Sequence, residues 1–168
     1  PEFGNIFEDP YFARALGGAY DEIEGADYRM MLKKASFEFA AEKEYLNLFR
    51  RQEIAGMLYI GSTLDDTYLK DFASHPYPFV LVNSSLPGVS LAHVMTDNVR
   101  MGELAVEHLV ALGHRRIAHI AGSLKTVSAI DRLTGYRRAL VAAGIALDER
   151  LIVAGHFTRE GAAEATRS

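Results

Sequence analysis

Gly122-Ser123-Leu124-Lys125-Thr126 carries the residue types of a phosphate loop. In such a loop glycine amides cradle the phosphates and a lysine reaches their oxygens. That needs glycine directly before the lysine and again five residues before it. Leu124 and Ile120 hold those positions here, so the spacing does not serve nucleotide hydrolysis. No Gly-x-Gly-x-x-Gly follows an apolar run, which removes the dinucleotide fingerprint as well. His75, His93, His108, His114, His119 and His156 are scattered, with no i, i+4 pair around a glutamate. Ordinary core and surface histidines account for them, and no metal or other cofactor is expected. There is no cysteine, hence no thiol nucleophile, disulfide or zinc ribbon. No Gly-x-Ser-x-Gly elbow presents a nucleophilic serine. Without an acid–base pair or a cofactor loop, the chain is not expected to be an enzyme.

Two other features could bind rather than react. Arg132 follows a strand-to-helix loop and reads as lying in the first turn of a helix, with Ser128 and Asp131 at capping-box spacing. The helix dipole disfavours a cation there, so another partner is implied: a carboxylate such as Asp131, or the hydroxyls of a ligand. Asp9-Pro10-Tyr11-Phe12 sets two aromatic rings beside a helix start, where they could stack on a sugar ring or simply pack in a core. His114-Arg115-Arg116 is the densest basic cluster, and its place after a helix C-terminus suits the negative end of that dipole.

The elements that must position these residues alternate. Helical spacing runs from Pro10 to Gly25. A short strand is predicted over Arg29–Ala35. A helix capped by Ser36 follows, with Ala41, Tyr45, Leu48, Phe49 and Gln52 on one face. The apolar runs Ile54–Ile60 and Phe79–Asn83 suit strands buried on both faces, the habit of parallel sheets. His93–Thr96 is extended. The next helix carries Met101, Leu104, Ala105, His108, Leu109 and Leu112 on one face and stops at Gly113. Strands are predicted at Ile117–Ala121 and Leu151–Ala154, with a helix ending at Gly144 between them and a last helix from Thr158. This alternation predicts an α/β fold, a parallel sheet with helices on both faces. Ligands of such sheets bind beyond the carboxyl ends of the strands, which points to 61–66, 83–88 and 122–128.

The composition fits. Of 168 residues, 49% are apolar and 24% charged, and the formal charge is −4, so a surface that clamps nucleic acid is not expected in this chain. No apolar run nears the roughly 20 residues that cross a bilayer, and no secretory leader is visible, so a cytoplasmic protein without membrane contact is expected.

With these residues in view, the sequence resembles the effector domain of the lactose-repressor (LacI/GalR) family of transcriptional regulators. The strongest stretch contains Thr96-Asp97-Asn98, the segment His108-Leu109-Val110-Ala111-Leu112-Gly113-His114-Arg115-Arg116-Ile117-Ala118, and Arg132-Leu133-Thr134-Gly135-Tyr136-Arg137-Arg138-Ala139-Leu140. Asp9-Pro10-Tyr11-Phe12 is similar to the family's Asn-Pro-Phe-Phe opening, and Arg50–Gly56 to the stretch before its third strand.

The resemblance implies a periplasmic-binding-protein-like domain of two lobes with a small molecule between them: a sugar, a related polyol or a nucleobase. It implies effector contacts from Tyr11, Phe12, Asn83, Thr126, Ser128 and Arg132, with Arg132 forking onto ring hydroxyls. It also implies a homodimer that meets operator DNA only through a helix-turn-helix headpiece outside these residues. Asn83 stands where some relatives carry aspartate, which bears on which hydroxyls are recognised. On this pattern residues 1–3 are a cloning scar, 4–125 the first lobe and 126–168 the crossover and start of the second. The family's first strand is reduced to Gly4–Phe7, and most of the second lobe lies beyond Ser168. The rival reading is a sugar-binding protein of an ABC-type transporter, which shares the fold. Gly113–Arg116 and Gly135-Tyr136 favour the regulator.

Overall fold

A computed structural model describes residues 10–168; Gly4–Phe7, the remnant of the first strand, lies outside them. The chain forms two compact units, one ending at Met57 and the other running from Leu58 to Ser168.

In the first unit, Pro10 opens α1 (Pro10–Gly25), which buries Phe12. Proline suits a first helical position because its missing N–H would have no intrahelical partner there. The predicted strand over Arg29–Ala35 is not formed. Met31 and Leu32 are each 56% exposed. An apolar run becomes a strand only when a neighbouring strand takes up its N–H and C=O groups, and no ladder forms here among the described residues. Ser36 caps α2 (Phe37–Ala41), its Oγ accepting from the Phe39 N–H at 3.3 Å. The helix expected to continue is split at Lys43, whose φ of 52° is left-handed, and restarts as α3 (Glu44–Arg50). The break rotates the buried face. Phe39, Tyr45, Leu46, Leu48 and Phe49 are buried, while Ala41 and Gln52 are exposed.

The second unit holds two small sheets. In the first the order is β1 (Met57–Ile60), β2 (Phe79–Val82), β3 (His93–Val94). β2 and β3 run parallel, with Leu81 opposite His93 and Val82 opposite Val94. Phe79 stacks on Phe72 of the connecting 3-10 helix at 3.9 Å. In the second sheet β4 (His119–Ala121) and β5 (Ile152–Ala154) pair in parallel, and α6 (Arg159–Arg167) follows. Each strand is shorter than its apolar run.

α4 (Asn98–Ala111) and α5 (Val127–Ala142) pack tightly on one another. A Cβ added at Gly102 would run into the Arg132 carbonyl, and one at Gly135 into that of Val99. Backbone therefore meets backbone, and this seam decides which face of α4 is covered. The apolar face read from the sequence is mostly exposed, Met101 by 42%, Leu104 by 51% and Leu112 by 62%, with Leu109 alone of its leucines packed against the core. Val106 joins Ile117, Leu133, Tyr136, Ala139 and Leu140 in the core. The Tyr136 hydroxyl donates to the Ile117 carbonyl at 2.8 Å, satisfying its polar end inside that core. Both helices end before a glycine with positive φ, Gly113 at 90° and Gly144 at 65°, as predicted.

Candidate functional site

Beyond the carboxyl ends of β4 and β5 the second unit opens a cleft of ≈310 Å³, walled by His119, Ile120, Arg132 and Phe157 over a floor that includes Gly122 and Gly155. That volume is at the small end of the range for ligand sites, and the position is where ligands of parallel sheets bind.

Arg132 is the charged group of this cleft. α5 is capped by Thr126, not by the expected Ser128, so Arg132 lies in the second turn, where the dipole matters less. Its Nε donates to the Asn98 side-chain oxygen at 2.9 Å. Of the two kinds of partner left open by the sequence, a carboxylate is not the one found: neither Asp131 nor any other carboxylate among the described residues bridges to it. Its guanidinium lies 6.0 Å from the Phe157 ring centre, within reach of a cation–π contact. His119 sits against Tyr136 with ring centres 5.1 Å apart. Burial, and then the nearby charges of Arg132 and Arg137, push its imidazole pKa below the usual 6.5. A neutral imidazole offers one donor and one acceptor.

Phe157 was not anticipated from the sequence, because an aromatic just past an apolar strand reads as core. The signal available was its place in Gly155-His156-Phe157-Thr158, directly after β5. There His156 and Phe157 both take positive φ, 55° and 57°. Histidine tolerates this region better than most residues, but a bulky phenylalanine rarely enters it, and such backbone gathers at functional sites. The Phe157 ring occupies the space that a side chain on Gly122 would fill.

The other expected contacts are distributed. Thr126 is buried with its hydroxyl committed at both ends, donating to the Ser123 carbonyl at 2.8 Å and accepting from the Ala129 N–H at 3.4 Å. Ser128 is buried in the first turn of α5. Asn83 directly follows β2 with a φ of 55°, and its N–H donates to the Val94 carbonyl at 2.7 Å. Tyr11 and Phe12 belong to the first unit, where their rings meet edge to face at 5.4 Å; Tyr11 is exposed and Phe12 buried. Lys125 pairs with Asp65 at 3.1 Å. His114, Arg115 and Arg116 lie exposed past the end of α4. Among the described residues no cluster of three or more His, Asp or Glu could hold a metal, and no helix is long and apolar enough to cross a membrane.

This fold and cleft define a ligand-binding domain of the periplasmic-binding type. The chain belongs to the family described as periplasmic binding proteins and sugar binding domain of LacI family, which it matches over residues 5–168. It is similar to the transcriptional regulator CelR of Thermobifida fusca, 32% identical over 165 residues, covering 96% of this chain and 48% of that protein. The repressor CytR of Escherichia coli K12 is 32% identical over 158 residues, covering 94% and 46%. Among solved structures, a CelR–cellobiose complex superposes with a TM-score of 0.84 at 30% identity, covering 96% of this chain and 50% of that one. A LacI-family regulatory protein from Chloroflexus aggregans gives 0.85 at 25% identity, covering 99% and 58%. The chain thus spans about half the length of the curated relatives it matches. Those relatives are transcriptional regulators rather than enzymes.

Proposed function

We propose that this chain is the effector-binding core of a bacterial LacI-type transcriptional regulator, and that the cleft beyond β4 and β5 receives a small, oxygen-rich effector: a sugar, a polyol or a nucleobase. The observation that carries this reading is Arg132. It is a guanidinium on the cleft wall, held by a neutral amide, bridged to no carboxylate among the described residues, and set beside an aromatic ring. Planar N–H donors recognise oxygen acceptors, and an aromatic face suits the apolar side of a sugar or base. Asn83 and Ser128 are proposed as further contacts; Thr126 acts by capping the helix that carries Arg132.

We place the junction of the two lobes earlier than residue 126. β3 pairs with β2, whereas α4 packs on α5, which supports a division between Val94 and Asn98. Operator DNA, on this reading, is met by a separate headpiece of a homodimer. A transporter's sugar-binding protein shares the family; the curated relatives' being regulators favours regulation.

Calorimetric titration with cellobiose, simple monosaccharides and nucleosides tests the site. The intact protein is expected to bind one of them, and Arg132→Ala to weaken that binding by about tenfold or more while the thermal melt is retained, since a hydrogen bond to a charged group contributes roughly 1.5–3 kcal/mol. Equal affinity of the two proteins rejects the assignment.

A further inference from the structure

Asn98 is 1% exposed, one of the most deeply buried polar side chains among the described residues. Both ends of its amide are used. The oxygen accepts from Arg132 Nε at 2.9 Å, and the nitrogen donates to the Thr96 carbonyl at 3.0 Å. The orientation of the amide is forced, because arginine can only donate and a carbonyl can only accept. Asn98 is the first residue of α4, and the α4–α5 seam fixes its distance from Arg132.

The bond takes Nε and leaves both terminal nitrogens of Arg132 without a protein partner among the described residues. Nor does it neutralise the guanidinium, as a carboxylate would. Resting on the effector reading above, we infer that Asn98 is the positioning residue of the site: it fixes Arg132 through Nε so that the two terminal nitrogens present a charged fork to a ligand with two adjacent oxygen acceptors. Vicinal hydroxyls and the oxygens of an anionic group both match that fork.

Nitrogen-edited NMR of the intact protein at neutral pH tests this without a ligand. The Arg132 Nε–H is expected to exchange with water about tenfold or more slowly than that of the exposed Arg115, the factor carried by a charged hydrogen bond. Exchange at the Arg115 rate in the unaltered protein, which requires no variant to fold, overturns the proposal. Asn98→Ala is expected to bring Arg132 to the Arg115 rate, and Asn98→Asp, which keeps the accepting oxygen, to retain the slow exchange. Cellobiose titration of the single and double variants adds the functional arm. Asn98→Ala should cost affinity when Arg132 is present and nothing further in Arg132→Ala. Additive losses would show that Asn98 acts elsewhere. Equal affinity of the unaltered and Arg132→Ala proteins, with slow Nε–H exchange intact, would count against the effector reading and leave the Asn98–Arg132 bond standing.

Discussion

His119 and Phe157 line the cleft beside Arg132, and the two respond to different tests. His119 is a base whose proton affinity falls on folding, from burial first and the charges of Arg132 and Arg137 second. Just below the usual 6.5 the unfolded chain therefore holds more of this proton than the folded one, so stability drops as pH falls through that window and is fully present above it. Thermal melts at pH 7.5 and 5.5 are expected to show a larger loss for the natural protein than for His119→Gln. Phe157 is expected to matter for binding and little for folding, because it is 44% exposed. Phe157→Ala should weaken effector binding and leave the melting temperature nearly unchanged, while Phe157→Gly, which also removes the Cβ that strains the left-handed backbone, should melt no lower than Phe157→Ala. The sequence singled out Arg132 as a cation in need of a partner, although its place in the second turn of α5 weakens the dipole argument that did so. Asn98 was visible only as part of a motif, since nothing in one sequence says which distant side chain an asparagine will hold.

At the scale of elements, glycine spacing decided more than apolar spacing did. Gly113 and Gly144 could be read as stops from the sequence, because few other residues accept the left-handed backbone that ends a helix in this way. The buried face of α4 could not. Met101, Leu104 and Leu112 form an apolar stripe at helical spacing, but the face that packs is the one where Gly102 admits the backbone of α5. Gly102→Ala and Gly135→Ala are each expected to destabilise the fold by about 2 kcal/mol, as overpacking of a close contact does. Gly17→Ala in α1, with open space around its Cβ, should instead be neutral or stabilising by about 0.5–1 kcal/mol. Denaturant unfolding of the three variants separates these outcomes. The strand predicted at Arg29–Ala35 failed for the complementary reason: strand pattern is local, whereas a strand needs a partner.

For the whole molecule, alternation of apolar runs and helices was enough to indicate parallel sheets flanked by helices, and the matched family agrees. The division into units was not readable from the sequence, because it depends on which elements pack together rather than on where the chain changes composition. The charge of −4 bears on partners at this scale. These 168 residues alone are expected to give no sequence-specific, salt-sensitive shift of duplex DNA in a gel assay, because they lack the basic surface that phosphate contact needs.

The glycine seam between α4 and α5 has a mechanical side. Where side chains separate two helices, the layer between them can yield by changing rotamers. Where carbonyl meets Cα, as at Gly102 and Gly135, there is nothing soft to yield. The two helices therefore behave as one stiff beam, with Arg132 near one end and the start of α4 tied to it through Asn98. A displacement of Arg132 is therefore expected to move the start of α4 with it.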